Sequence, residues 1–129
     1  MFLKVVAPLL AVFMTVTSNM ITGGWRDADV NSDDVQNALN FAVTEHNKAS
    51  NDLYLSQVSK VIKAQKQVVS GMNYLFTIEM ARTSCKKGGI EKVCGVHPDP
   101  NVAKPRVCRL MVWNQPWTNT IKLLQNTCK

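Results

Sequence analysis

The chain has 129 residues, 46% of them hydrophobic, which suits one domain with one ordinary core. Its formal charge is +6, from 15 Lys and Arg against 9 Asp and Glu. The basic residues are spread along the chain, with Lys60, Lys63 and Lys66 the nearest approach to a cluster. That dispersal reads as a solvated surface and argues against both a nucleic-acid and a membrane partner.

In chain order, Met1 to about Ser18 reads as a secretory signal peptide. Lys4 supplies the positive start, Val5–Val16 is apolar apart from Pro8 and Thr15, and Val16-Thr17-Ser18 offers modest side chains to a signal peptidase. The apolar run is shorter than the ~20 residues that cross a bilayer. Cleavage near Ser18 leaves residues 19–129 as a mature domain in the extracellular space. Asn19–Asn31 is a polar lead with Gly23-Gly24-Trp25 inside it, which by itself suits a frayed terminus. Asn31–Ala49 then predicts one amphipathic helix. Asn31 or Ser32 can cap it, and Asp33 and Asp34 place negative charge in the first turn. Val35, Ala38, Leu39, Ala42, Val43 and His46 recur on one face, with Phe41 at its edge. Asn47–Asp52 is polar and ends the helix.

Strand texture follows. Val58–Val69 is β-rich, with a slip of alternation around Lys60 and Val61 that marks a bulge. Ser70-Gly71 is a turn signal, and Met72–Met80 alternates cleanly, so the two runs make a hairpin. Met72, Tyr74, Phe76, Ile78 and Met80 share one side. Thr83–Arg106 is a long irregular connection with Gly88-Gly89, Pro98, Pro100 and Pro105. Val107–Trp113 is a third strong strand, Asn114–Trp117 a turn, and Thr118–Cys128 the last strand. The order predicts an α+β fold: one long α-helix packed on a twisted antiparallel sheet of about four to five strands.

The four cysteines, Cys85, Cys94, Cys108 and Cys128, lie in the C-terminal part. An even count behind a signal peptide implies two disulfides, and sequence alone permits three pairings. The most local pairing closes two short loops that do not interlock, each stabilising by about 2.5–3.5 kcal/mol on the chain-entropy model.

The search for catalytic chemistry returns little. Cysteines held in disulfides cannot act as nucleophiles. His46 falls on the apolar helix face and reads as packed, while His97 sits beside Pro98 with no metal partner. Zinc-ligand spacing, a phosphate loop and a dinucleotide fingerprint are all missing from the sequence. The chain reads as a binding protein, not an enzyme, with no cofactor and no metal.

Three segments are odd for their positions. Gln67-Val68-Val69-Ser70-Gly71 puts two valines at a hairpin tip, where polar residues are usual. Pro116-Trp117 puts a large aromatic on a rigid turn, a common form of interface anchor. Gly23-Gly24 sits in the lead. Together they resemble the cystatins. Gln67–Gly71 matches that family's Q-x-V-x-G motif, Pro116-Trp117 its second-hairpin Pro-Trp pair, and Gly23 its N-terminal glycine. The cysteine layout resembles the secreted type-2 branch, and the likeness spans the mature chain.

The resemblance implies a reversible, tight-binding inhibitor of papain-like cysteine proteases such as cathepsins. Gly23 would let the lead bend and lay Met20-Ile21-Thr22 in the non-primed subsites. Val68, Val69 and Gly71 would fill the centre of the cleft, Gln67 and Ser70 would belong to the same protease-binding tip, and Pro116 and Trp117 would cover the primed side. It implies the disulfides Cys85–Cys94 and Cys108–Cys128. It implies a monomer, with a domain-swapped dimer through the first hairpin as an open alternative. Ser50-Asn51-Asp52 resembles the loop by which some type-2 cystatins inhibit legumain, with Asn51 as the specificity residue; a plain helix-ending turn explains it equally. The lead before Gly23 is short if cleavage falls at Ser18. The competing reading is a cystatin-fold antimicrobial or carrier module, related to cathelicidin pro-domains, without protease inhibition.

Overall fold

The expected helix forms because its apolar positions line one face. In the computed structural model, which describes residues 23–90 and 93–129, helix α1 spans Asp33–Ala49 and buries Val35, Ala38, Leu39, Ala42 and His46. Ser32 takes the N-cap position without a side-chain capping bond, and Asp33 and Asp34 occupy the first turn. The expected signal peptide at 1–18 and the Met20-Ile21-Thr22 part of the lead lie outside the described residues. Among the described residues, no helix is long and apolar enough to cross a membrane.

The helix lies on a five-stranded antiparallel sheet in sequential order. Its strands are β1 (Arg26–Asp27), β2 (Tyr54–Val69), β3 (Gly71–Lys86), β4 (Arg106–Gln115) and β5 (Thr120–Cys128). Phe76, Ile78 and Met80 from β3, with Cys108, Leu110 and Val112 from β4, bury against Val35, Ala38, Leu39 and Ala42 of the helix. Burying each large side chain contributes about 1.5–3 kcal/mol, so this helix–sheet layer is the main source of stability. Polar bonds pin the helix at both ends. Tyr74 Oη donates to Asp34 Oδ2 at 2.9 Å. At the other end His46 meets Asn126 Oδ1 through Nδ1 at 2.8 Å and Arg106 Nη2 through Nε2 at 3.1 Å. Guanidinium groups only donate, so Nε2 accepts and the ring proton sits on Nδ1, directed at Asn126. Asn47 closes the joint by exchanging two bonds of 2.9 Å with the Ser56 backbone.

The predicted bulge is present as register shifts between Val58 and Lys60 and between Val61 and Lys63. The main hairpin is longer than its hydrophobic alternation suggests: β2 begins at Tyr54 and β3 runs to Lys86. The extra length is set by polar pairing. Thr83 Oγ1 donates to the Leu55 carbonyl at 2.8 Å, and Arg82 pairs with Asp52 at 2.8 Å. Met80 and the adjacent Ala81 are both buried, so the buried face switches there from the even to the odd positions and the alternation read from Met72–Met80 does not carry through to Thr83 and Cys85. The connection expected to be irregular holds one short helix, α2, Pro100–Ala103, capped by Asp99 accepting from the Asn101 N–H at 3.0 Å. The disulfides are Cys85–Cys94 and Cys108–Cys128. The second joins residues directly opposite on β4 and β5, and both lie away from the first hairpin tip.

Candidate functional site

The ladder between β2 and β3 continues to the pair Val69–Gly71, so only Ser70 lies outside it. So tight a reversal demands an unusual backbone. Gly71 has φ +98°, a region L side chains rarely adopt. A Cβ there would also run into the Asn114 carbonyl oxygen and stand 3.2 Å from Gln115 Cα. The glycine thus lets the backbone of the first tip press against β4. Val68 is exposed at 46%, and Val69 is half-buried. The expected apolar tip is present, with its two valines still in the strand.

The second tip is a single 3₁₀ turn, Pro116–Thr118, closed by Asn119 in the left-handed conformation at φ 53°. Trp117 is 68% exposed. It does not fold back onto the sheet. The turn is stitched by Thr118 Oγ1, which donates to the Gln115 carbonyl at 3.1 Å and meets Gln115 Oε1 at 2.7 Å.

The lead joins the same end. Gly23 N donates to the Val68 carbonyl at 3.3 Å, and Gln67 Nε2 donates to the Gly23 carbonyl at 2.8 Å. A Cβ on Gly23 would stand 3.1 Å from Val68 O, so a side chain there would require the lead and the hairpin to part by a few tenths of an ångström. β1 continues the contact by pairing Arg26 with Lys66 and Asp27 with Gln65. The structure therefore brings Gly23, Gln67–Gly71 and Pro116-Trp117 to one end of the sheet. Sequence reasoning missed Trp113 and Gln115, which join the two tips. Trp113 Nε1 donates to the Ser70 carbonyl at 2.9 Å, and Gln115 Nε2 reaches Ser70 Oγ at 2.9 Å. Their only sequence signal was proximity to Pro116.

Asn51 stands apart, exposed in the loop between α1 and β2. The 16 residues of β2, about 50 Å of extended chain, separate it from Ser70. Its loop is braced: Lys87 Nζ donates to the Ser50 carbonyl at 2.6 Å, and Asp52 Oδ1 accepts from Tyr54 N at 3.0 Å. Burial alone would raise the Asp52 carboxyl. The Tyr54 N–H and the Arg82 guanidinium outweigh it and hold the group below the usual carboxylate range. A depression of about 390 Å³ lined by Thr44, Asn47, Lys48, Leu55, Lys87 and Gly88 lies beside this loop, not at the tips. Among the described residues no three His, Cys, Asp or Glu side chains gather as a metal site.

The chain is similar to known proteins over most of its length. The chain matches the family model described as Cystatin domain over residues 23–106. It is 52% identical over 126 residues to the protein named Cystatin from Oncorhynchus keta, covering 98% of this chain and 97% of that one. It is 46% identical over 110 residues to Cystatin-C from Bos taurus, covering 84% and 74%. The solved structure of Al-CPI superposes with a TM-score of 0.73 at 32% identity, covering 83% of this chain and 98% of that one.

Proposed function

The chain belongs to the cystatin family of cysteine protease inhibitors, and on that premise we propose that it is a secreted, reversible, tight-binding inhibitor of papain-like enzymes. It acts as a wedge in the protease cleft. The lead at Gly23 lies on the non-primed side, Val68, Val69 and Gly71 fill the centre, and Pro116 and Trp117 cover the primed side. The observation that carries this reading is the hydrogen-bonded assembly of these segments at one end of the sheet, with Val68 and Trp117 left exposed. An exposed aromatic on a fixed turn buries much area at small entropic cost. Protease–inhibitor interfaces bury about 1,600 Å² in total, a scale that two hairpin tips and a lead suit. No covalent step is needed, because the wedge excludes substrate by occupying its place.

Titration of active papain with the purified protein tests the proposal. Stoichiometric loss of activity, regained on dilution, is expected; full activity at micromolar protein would refute it. A cystatin-fold module without inhibition, the alternative from the sequence, predicts that second outcome.

A second site receives support from the braced loop at Asn51. Lys87 and Arg82 hold the flanking Ser50 and Asp52 while Asn51 remains exposed. This is the arrangement of a presented side chain, and legumain is its proposed target. Legumain inhibition that disappears in Asn51→Ala, with papain inhibition intact, is the expected result. Equal inhibition by the two proteins would dismiss the site.

A further inference from the structure

The two hairpin tips come from different parts of the chain, and sheet pairing alone does not set the position of Ser70. Its carbonyl oxygen accepts the Trp113 indole N–H at 2.9 Å and the Gln115 amide at 3.3 Å. The same amide reaches the Ser70 hydroxyl at 2.9 Å. Both donors lie at the end of β4, the strand that runs directly into Pro116-Trp117. Gln115 is itself held from the other side, since Thr118 Oγ1 meets its Oε1 at 2.7 Å. A continuous path of side-chain bonds therefore runs from the second tip through Gln115 to the first.

We infer that Trp113 and Gln115 are positioning residues of the wedge, fixing the separation and tilt of the two tips before a protease arrives. The inference rests on the cleft-plugging function proposed above, yet neither residue needs to touch the protease. Three features set these bonds apart from ordinary sheet structure. They lie on the exposed rim, so the buried layer of Phe76, Leu110 and Val112 does not depend on them. They converge on Ser70, so loss of either loosens the same residue. The indole has a single donor and no acceptor, so Trp113 fixes a direction as well as a distance.

A tip that samples several positions presents the docking geometry for only part of the time. Apparent affinity then falls by that fraction, and the loss enters mainly through association. Hydrogen bonds of this exposed kind correspond to factors of about three to ten.

The test uses Trp113→Phe, which keeps a ring and deletes the donor, and Gln115→Ala. Three quantities are measured: association and dissociation rates with papain, amide hydrogen exchange at Ser70 and Gly71 in the free protein, and the melting temperature. The expected result is association about three- to tenfold slower, faster exchange at both amides, and a fall in melting temperature of no more than about 6 °C. Wild-type association together with unchanged exchange would overturn the inference. A loss confined to dissociation, with unchanged exchange, would assign Trp113 to direct contact and also overturn it. If the unaltered protein does not inhibit papain, the inhibitory function itself fails. Exchange in the free protein then decides the brace alone: faster in the variants upholds it, unchanged removes it.

Discussion

Gly71→Ala isolates the requirement for close approach of the two hairpins. The added methyl meets two independent penalties. A φ of +98° is costly for alanine, by about 1–3 kcal/mol. The new Cβ would also collide with the Asn114 carbonyl, an atom of the β4 backbone that cannot swing aside. Relief requires the end of β4 to move from β3, which stretches the Trp113 and Gln115 bonds to Ser70. Each such bond contributes about 0.5–1.5 kcal/mol. Alanine also lowers the entropy of the unfolded chain, offsetting about 0.4–1 kcal/mol. The net expectation is a destabilisation of about 3 kcal/mol, a fall in melting temperature of about 10 °C or more. Papain inhibition should weaken by about a hundredfold if the loss falls wholly on docking geometry. Calorimetry and inhibition titration measure the two effects. Gly24→Ala is the control, because a Cβ there meets nothing within 4 Å, and it should change stability by less than about 0.5 kcal/mol. A Gly71→Ala protein that melts within about 2 °C of wild type would refute the close-approach reasoning.

Burial, then the hydrogen bond and charge of Asp34, push the Tyr74 hydroxyl up to about 12 from its usual 10.0. Between about pH 10 and 12 the folded state thus holds a proton that the unfolded state has lost, so the contribution of Tyr74 is constant below about pH 10 and falls as pH rises from about 10 to 12. Urea midpoints across that range should fall for wild type and stay flatter for Tyr74→Phe; equal slopes would exclude Tyr74 as the cause. Asp52 is held below the ordinary carboxylate range, so its contribution is present above about pH 4 and lost as pH falls further. Asp52→Asn should flatten that acid limb in denaturant titrations, and an unchanged limb would argue against the Arg82 pair. His46→Ala leaves Arg106 and Asn126 without their partner and opens space between α1 and the sheet. It should cost about 2–4 kcal/mol in equilibrium unfolding; a loss below about 0.5 kcal/mol would show that the pin is dispensable.

What the sequence by itself determined was periodic or compositional. The Val35–His46 stripe marked the helix face, and Tyr74, Phe76, Ile78 and Met80 marked the core side of β3, because repeating burial leaves a repeating pattern. The tip residues were legible for a different reason: two valines and a tryptophan stood where turns are usually polar, beside a glycine that marked the turn itself. Long-range polar contacts decided the rest. β3 runs past Met80 because Thr83 and Arg82 find partners across the hairpin, and neither residue signals this in its neighbours. His46 was legible as packed, but its partners lie 60 and 80 residues away. Trp113 read only as the end of a strand and Gln115 only as part of the turn after it. Tertiary structure alone set their donors on Ser70, more than 40 residues back along the chain, where two hairpins share a sheet end. A hydrogen bond between distant residues imposes no period on a sequence, so the tip residues could be named from the chain while the bonds that join them could not.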